Sequence, residues 1–573
     1  MQNKLFLSLA LASGVALTSC SKLGELSADN FTVTPSPLEA VGNEVPVTIN
    51  GRFPEKYMKK KAVVTVTPVL RYANGEAAGQ PASFQGEKVK GNAQEIAYKV
   101  GGNYTMKNTF AYVPAMQQSE LFLTFDARLG KKTVNIPEVK VANGVIATST
   151  LLNNTALGST AIAGSNTALG ADAYQQTIAQ TQQAQIKYLI NQAKVRSSEL
   201  KTVSVQDFVK MLKEIKADQK SFKLDNIEVS AYASPDGAMD FNTELAEKRQ
   251  NTSAEFVEKQ LKDIALNTNL DTKYTAEDWD GFKELVSASN MQDKDVILRV
   301  LSMYPDPEER EKQIRNLSVA FNELADEILP ELRRARLTIN YNLIGRTDAE
   351  IQSQYKQDAA QLSVDEMLYA ATLTNNVAEK EDIYKTAAKV YPNDYRAFNN
   401  LAGIAINKGD FAAAKNYLAQ AEAKKANTPE VNANRAIVAL AEGNIAEAEN
   451  YAARATTAKN YNEILGNINL AKGNYALATK NLAGVNTNSA ALTQLLNKDY
   501  SAASQTLSSV ANPDAMTSYL KAIVAARNGE NNATVVANLK DAISKNGAFK
   551  AYAAKDLEFA KLFNDTAFQN VVK

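Results

Sequence analysis

The residues with the clearest chemical potential lie between Ile227 and Leu261, in the stretch IEVSAYASPDGAMDFNTELAEKRQNTSAEFVEKQL. The pattern is that of a β-strand, a polar loop and a long helix. Asp236 in the loop is suited to accept an ammonium group, and Arg249 offers the planar fork that pairs with a carboxylate. A zwitterionic ligand needs both signs. The structural alternative is that Asp236 and Gly237 form a turn. Asn242 would then cap the helix, and Arg249 would be a solvated or structural residue.

The same stretch resembles the core of the OmpA-like peptidoglycan-binding domain, in which a G-H-T-D-x-x-G loop precedes N-x-x-L-S-x-x-R-A on a helix. Gly237, Asn242, Leu245 and Arg249 fall where the family has Gly, Asn, Leu and Arg. The resemblance implies that the loop and the arginine hold the diaminopimelate of cell-wall peptide. A neutral serine stands where the family has Asp, and it cannot give the charge-assisted bond that an ammonium favours. The candidate peptidoglycan-binding residues are Ser234, Asp236, Asn242 and Arg249.

The composition excludes several classes of site. The chain has 573 residues with no histidine and a single cysteine. Catalytic triads, histidine-ligated zinc, disulfides within the chain and iron–sulfur clusters are therefore excluded. No Walker A, G-x-S-x-G or G-x-G-x-x-G motif occurs. The 63 basic and 63 acidic residues balance, which gives no electrostatic reason for nucleic-acid binding. We expect a protein without enzymatic activity, metal or cofactor.

The N-terminus has the layout of a secretory signal, with one lysine followed by an apolar run over residues 5–17. Leu17-Thr18-Ser19-Cys20 resembles the lipobox of bacterial lipoproteins. The resemblance implies that a signal peptide, 1–19, is removed and that Cys20 carries a diacylglycerol, with an acyl chain such as palmitate, as a membrane anchor. The alternative is a buried free cysteine. Residues 20–30 are polar and would form a tether.

Short alternating runs rich in β-branched residues, such as Val45–Asn50 and Ala62–Leu70, predict a β-sandwich-like domain over 31–150. Its opening resembles the front end of Bacteroidota envelope lipoproteins that carry OmpA-like domains. Residues 151–182 read as a linker of small and polar residues followed by a Gln-rich helix.

The β-α-β-α order that follows, with a closing strand at Ala335–Tyr341, matches an OmpA-like α/β domain over 183–345. An Arg-Arg pair, which usually precedes the closing strand in the family, is present at 333–334. Residues 277–330 exceed the family's usual length and predict a helical insertion.

The final segment, 366–573, contains an internal repeat. Turn markers at Gly409, Gly443, Gly473 and Lys498 are 34, 30 and 25 residues apart, and each is followed by an alanine suited to close helix packing. The pattern resembles the tetratricopeptide (TPR) repeat, whose period is about 34 residues. The shrinking period predicts shortened helices, and the resemblance implies protein–protein contact.

The expected fold class is multidomain: an N-terminal β-sandwich-like domain, an α/β OmpA-like domain with a helical insertion, and a C-terminal all-α TPR-like solenoid. The expected function is a non-enzymatic envelope scaffold on the outer membrane, facing the periplasm. Its partners would be the membrane through the lipid anchor, peptidoglycan, and a protein held by the repeats. The alternative is a cell-surface interaction or adhesion protein, or an accessory of a fimbrial or secretion assembly, with the OmpA-like fold repurposed.

Overall fold

The computed structural model describes residues 23–573, with the backbone alone at residues 318–320. Cys20 and the predicted signal peptide lie outside the described residues. The chain forms two compact units. Unit 1 combines residues 23–172 with Thr374–Lys573, and unit 2 is Ala173–Leu373. The β region and the helical repeats, predicted as separate domains, thus belong to one unit.

Unit 1 begins with two β-sheets that share one apolar core, as the alternating runs predict. One sheet has three strands, in the order β1-β3-β8, and the other has seven and is built around β4 and β9. Every second residue of β3 is buried, and Val47 and Ile49 join Val64 and Leu121 from the other sheet in one core. The strands are β1 (Phe31–Thr34), β2 (Leu38–Glu39), β3 (Glu44–Phe53), β4 (Ala62–Tyr72), β5 (Gly75–Ala78), β6 (Ala82–Gly86), β7 (Gln94–Ile96), β8 (Gly102–Ala111), β9 (Glu120–Leu129), β10 (Lys132–Val134), β11 (Val139–Asn143) and β12 (Val145–Ile146).

The segment 147–172 follows the last of these strands and is not the solvated linker that its small, polar residues predict. It contains three short 3-10 turns, and Leu151, Leu152 and Ile162 are fully buried in the core of the helical repeats. The prediction was wrong because it counted only the apolar residues of the segment itself. The helices of the repeats supply the rest of the apolar surface that buries it.

Unit 2 holds a four-stranded mixed sheet in the order β13-β16-β14-β15. β14 and β15 run parallel and are joined through a long helix, whereas β16 is antiparallel to both β13 and β14. Phe208 and Leu212 of the first helix pack with Ile227 and Leu337 of the sheet in one core. The strands are β13 (Thr177–Lys187), β14 (Phe222–Tyr232), β15 (Leu270–Thr275) and β16 (Arg334–Ile344), and the first two helices are α1 (Val203–Ala217) and α2 (Met239–Asp263).

Two elements of unit 2 differ from the sequence prediction. The Gln-rich stretch is not a helix but the strand β13, which pairs with β16 along all eleven of its residues. Cross-strand pairing and the burial of Ala184 and Ile186 outweigh the helical preference of glutamine. The strand β15, LDTKYT, was not predicted, because it is largely exposed and lacks the alternating apolar pattern.

The stretch that exceeds the OmpA-like length holds helices with their own small core. Phe282, Val286, Ile314 and Leu332 pack together there. The helices that complete unit 2 are α3 (Trp279–Ala288), α4 (Lys294–Met303), α5 (Pro307–Arg315), α6 (Ser318–Glu323), α7 (Leu329–Leu332), α8 (Asp348–Asp358) and α9 (Val364–Ala370), with a π-helical turn at Leu324–Ile328. The first residues of the predicted repeat region, 366–373, therefore belong to unit 2.

The rest of unit 1 is a series of helical hairpins, as the repeat pattern predicts. The turn markers adopt the left-handed conformation, with φ between 65° and 78°, and the alanines that follow them are fully buried. The second helices shorten from 14 residues in the first hairpin to 7 in the third, which confirms the trimming. The helices are α10 (Val377–Val390), α11 (Tyr395–Asn407), α12 (Phe411–Lys424), α13 (Pro429–Ala441), α14 (Ile445–Ala452), α15 (Tyr461–Ala471), α16 (Tyr475–Asn481), α17 (Asn488–Leu496), α18 (Tyr500–Ser508), α19 (Ala515–Arg527), α20 (Asn532–Lys545), α21 (Ala548–Ala553) and α22 (Thr566–Val572).

Candidate functional site

The polar loop lies between β14 and α2, and its acid is already paired within unit 2. The Asp236 carboxylate accepts a hydrogen bond from the Ser234 hydroxyl and forms an ion pair with Arg333 at 3.2 Å. The Asp236 carbonyl accepts a second arginine, Arg315 of α5, at 2.7 Å. The side chains of Asp236 and Arg333 keep 19% and 12% of their exposure. The loop therefore presents a partly covered ion pair.

Asn242 lies inside α2 and is not its cap, since the helix begins at Met239. Its amide nitrogen donates to the carbonyls of Ser234 and Gly237, at 3.2 and 3.1 Å. Asn242 is buried and closes the loop onto the first turn of the helix. This role is structural, and it differs from the N-cap that the sequence suggests.

Arg249 is buried, with 1% of its surface exposed. Its guanidinium donates to three main-chain carbonyls: Gln192 at 3.0 Å, Tyr232 at 2.9 Å and Leu189 at 3.3 Å. It also lies over the ring of Tyr188, 5.2 Å from the centroid. Burial lowers the pKa of Arg249 to about 10, and the nearby Arg333 cation acts in the same direction. The fork that the sequence assigns to a ligand carboxylate is used by the backbone.

A second ion pair that the sequence did not reveal lies beside the first. Arg334 donates to Asp278 at 3.0 Å, and both side chains are more than nine-tenths buried. Asp278 also caps α3 by accepting from the Gly281 N–H at 2.9 Å. A Cβ at Gly281 would come within 2.3 Å of the Asp278 carboxylate, so only glycine fits this turn. The Arg-Arg pair before the closing strand was the available signal, since each arginine takes its own acid.

The loop brings together the four candidate residues Ser234, Asp236, Asn242 and Arg249, and it satisfies their polar groups internally. Binding a zwitterion at Asp236 and Arg333 would require the ligand to break their ion pair. Wall-peptide binding by these residues stays a prediction.

The second candidate site lies in unit 1, on the inner face of the repeats, meaning the side of α11, α13, α15, α17 and α19 that contacts the segment 147–172. Asparagine side chains from successive first helices bind the main chain of this segment. Asn434 accepts from the Ala168 N–H and donates to the Ala168 carbonyl, at 2.9 and 2.8 Å. Asn400 does the same at Gly170, at 2.8 and 3.2 Å.

The contacts continue on the next hairpin, at Asn166. Glu463 accepts from both the main-chain and the side-chain N–H of Asn166, each at 2.9 Å, and Asn460 donates to the Asn166 carbonyl at 2.7 Å. Burial raises the pKa of Glu463, while the two bonds from Asn166 act against that rise. The arrangement reads the N–H and C=O groups of an extended chain at every second residue.

These asparagines were missed because Asn in a helix normally indicates an exposed position or a cap. The sequence analysis treated Asn399 as part of a repeat pattern and assigned the others no role. Asn399, Asn400, Asn434 and Asn467 are instead almost wholly buried. Their recurrence on the first helix of each hairpin, in phase with the apolar face, is the signal that would have found them.

Among residues 23–573, the model has no helix long and apolar enough to cross a membrane. The same residues contain no group of three or more Cys, Asp or Glu side chains placed to hold a metal ion.

No family model matches the chain, and no curated protein matches it. Solved structures similar to it include a tetratricopeptide repeat protein from Parabacteroides merdae, with 13% identity over 35% of this chain and 85% of that one, at a TM-score of 0.26. Others are PilF from Pseudomonas aeruginosa (16% identity, 39% and 98% covered, TM-score 0.24) and PilW, a type IV pilus biogenesis factor (18%, 37% and 98%, TM-score 0.25). TM-scores this low assign no function to the chain.

Proposed function

We propose that the protein is a non-enzymatic interaction scaffold, anchored in the outer membrane through a lipid on Cys20. The observation that carries the proposal is the asymmetry of the helical hairpins. α13 buries ten of its thirteen residues, whereas α12 buries three of fourteen. The first helices are thus enclosed and the second helices are open to solvent. Stacked repeats of this kind offer a long, regular surface to a protein partner.

Site-specific photo-crosslinking in native membranes tests this part of the proposal. A photoreactive residue at Asn416, Asn450 or Lys480, all exposed on second helices, should give a discrete adduct. The same residue at Lys132, exposed on the edge strand β10, is the matched control and should give none. Adducts at Lys132 alone, or at none of the four positions, would contradict a partner on the second helices.

We further propose that unit 2 is an OmpA-like domain repurposed from wall binding. Its strand order and the parallel β14-α2-β15 crossover support the fold assignment. The three carbonyl bonds of Arg249 and the Asp236–Arg333 pair support the repurposing. The test is co-sedimentation of residues 21–573 with peptidoglycan sacculi, with free diaminopimelate as competitor. We expect no binding that diaminopimelate competes for, and competed binding would restore the wall-tether function.

The anchor is tested by fractionation. Cys20→Ala should move the protein from the membrane to the soluble fraction, because each buried methylene of the acyl chains contributes about 0.8 kcal/mol of membrane affinity. Cys20→Ala that stays in the membrane fraction would refute the lipid anchor. We propose the periplasmic side, because Ser21-Lys-Leu-Gly-Glu25 carries only part of the acidic signal for export to the surface. Degradation by protease added to intact cells would favour the surface-protein alternative.

A further inference from the structure

The segment 157–170 crosses the inner face of the repeats against their order. Its first contact is at the end of α20, where the Asn546 amide donates to the Leu157 carbonyl at 2.6 Å. Ser159 then donates to Asp514, the cap of α19, at 2.8 Å. The last contact in this stretch is Gly170 with Asn400 of α11. One continuous segment therefore spans the hairpins from the last to the first.

The recognition is of the main chain. At Ala168, the carbonyl accepts from both Asn399 and Asn434, and the N–H donates to Asn434. The Asn399 oxygen in turn accepts from Asn434 at 2.9 Å, which holds the two amides in register. Because an amide side chain both donates and accepts, each asparagine matches a peptide unit without burying a charge.

Close approach restricts the side chains that fit. A Cβ at Gly170 would lie 2.7 Å from the Arg396 side chain, and a Cβ at Gly403 of α11 would lie 2.8 Å from the Thr167 hydroxyl. Ala168 is buried, whereas its neighbour Leu169 keeps 54% exposure. The inner face therefore accepts small residues at alternate positions and leaves the residues between them facing outward.

We propose that the inner face of the repeats is a binding site for an extended peptide with small alternate residues, and that the chain's own segment 157–170 is its resident ligand. A tethered ligand has an effective concentration of about millimolar, so a free peptide at about micromolar with the same contacts competes at a roughly thousand-fold disadvantage. Partners are thereby directed to the second helices. That restriction rests on the proposed scaffold function, whereas the occupancy itself does not.

Two substitutions of adjacent residues test the occupancy. Ala168→Arg places a long cation at a buried position, and Leu169→Arg adds the same group at an exposed one. In hydrogen–deuterium exchange, the amides of Asn166, Ala168 and Gly170 should be protected in the unsubstituted protein and in Leu169→Arg, and should exchange freely in Ala168→Arg. No partner protein is needed, so failure here is distinct from failure of the scaffold proposal.

Binding in trans completes the test. A fluorescein-labelled synthetic peptide of residues 164–172, capped at both ends, should bind Ala168→Arg and should not bind the unsubstituted protein at micromolar concentration. The same peptide with arginine in place of Ala168 should bind neither. Free exchange of the three amides in the unsubstituted protein would overturn the proposal. Equal peptide binding by the unsubstituted protein and Ala168→Arg would also overturn it, because the face would then be open.

Discussion

Two regions of the molecule hold buried polar side chains against the chain's own backbone, and they do so with different groups. In unit 2, Arg249 presents a cation to three carbonyls. In unit 1, Asn400 and Asn434 present neutral amides to N–H and C=O groups of the segment 147–172. Both sets of residues belong to patterns that suggested ligand binding.

The difference lies in what happens when the bound backbone leaves. Arg249 would then be a desolvated cation, and its lowered pKa already records the cost of burial. Asn434 would be a neutral amide that water solvates at little cost, since amides donate and accept equally. The arginine site is therefore permanent architecture, and the asparagine face can release its segment and stay folded. Substitutions in the two regions should separate these behaviours.

The largest effect is expected for Arg249→Ala. It leaves three buried carbonyls without a donor, and an unsatisfied buried group costs about 1–3 kcal/mol. We expect unit 2 to lose roughly 3 kcal/mol or more of its free energy of unfolding, measured by urea denaturation. The matched control is Arg336→Ala, which removes an exposed ion pair with Glu284 and should cost roughly 0–1 kcal/mol. Equal midpoints for the two variants would show that Arg249 is available for a ligand.

A smaller and more local effect is expected for Asn434→Ala. The N–H and one acceptor contact of Ala168 are lost, which costs about 2 kcal/mol. The protection of residues 165–170 in hydrogen–deuterium exchange should fall while that of α13 persists. Asn432→Ala is the control, since Asn432 is also buried on α13 but donates only to the Thr428 carbonyl of its own helix. Loss of protection throughout unit 1 would mean that the segment and the hairpins fold only together.

The sequence predicted the parts of the fold that local chemistry decides. The glycine at 409 requires a left-handed turn, and Ala414 requires a close helix neighbour, so the hairpins could be predicted. Alternation in β3 likewise predicted a half-buried strand. These features depend on residues near each other along the chain.

What the sequence did not predict depends on distant partners. β13 is a strand because β16, about 150 residues later, pairs with it. The segment 147–172 is ordered by helices more than 200 residues away. Arg249 was placed correctly on its helix, but its acceptors are carbonyls from other elements, and no spacing rule reveals those. The composition of a segment describes what it can bury by itself and omits what a neighbour can bury for it.

Asp556 sharpens the comparison, because it is a buried group of unit 1 that can gain or lose charge. Its carboxylate accepts from the Tyr519 hydroxyl at 2.6 Å and from the Glu558 N–H at 3.0 Å. Burial, and then the charge of Glu558, raise the pKa of Asp556 to about 7, while Arg527 acts in the opposite direction. Between its usual pKa and 7, the folded state keeps a proton that the unfolded state has lost. The free energy of unfolding therefore falls as pH rises through this window, by at most about 1 kcal/mol per pH unit.

Asp556→Asn should remove that fall, so the variant's thermal midpoint should change less between pH 5 and pH 7 than that of the unsubstituted protein. Asp541→Asn is a control of opposite sign. Lys545 and Ser518 lower the pKa of Asp541, so its contribution is present above the usual carboxyl range and is lost as pH falls. If both variants followed the unsubstituted protein between pH 5 and pH 7, Asp556 would already be ionised in the folded state. The rule that unit 1 buries neutral groups, while unit 2 tolerates a buried cation, would then fail at its most sensitive residue.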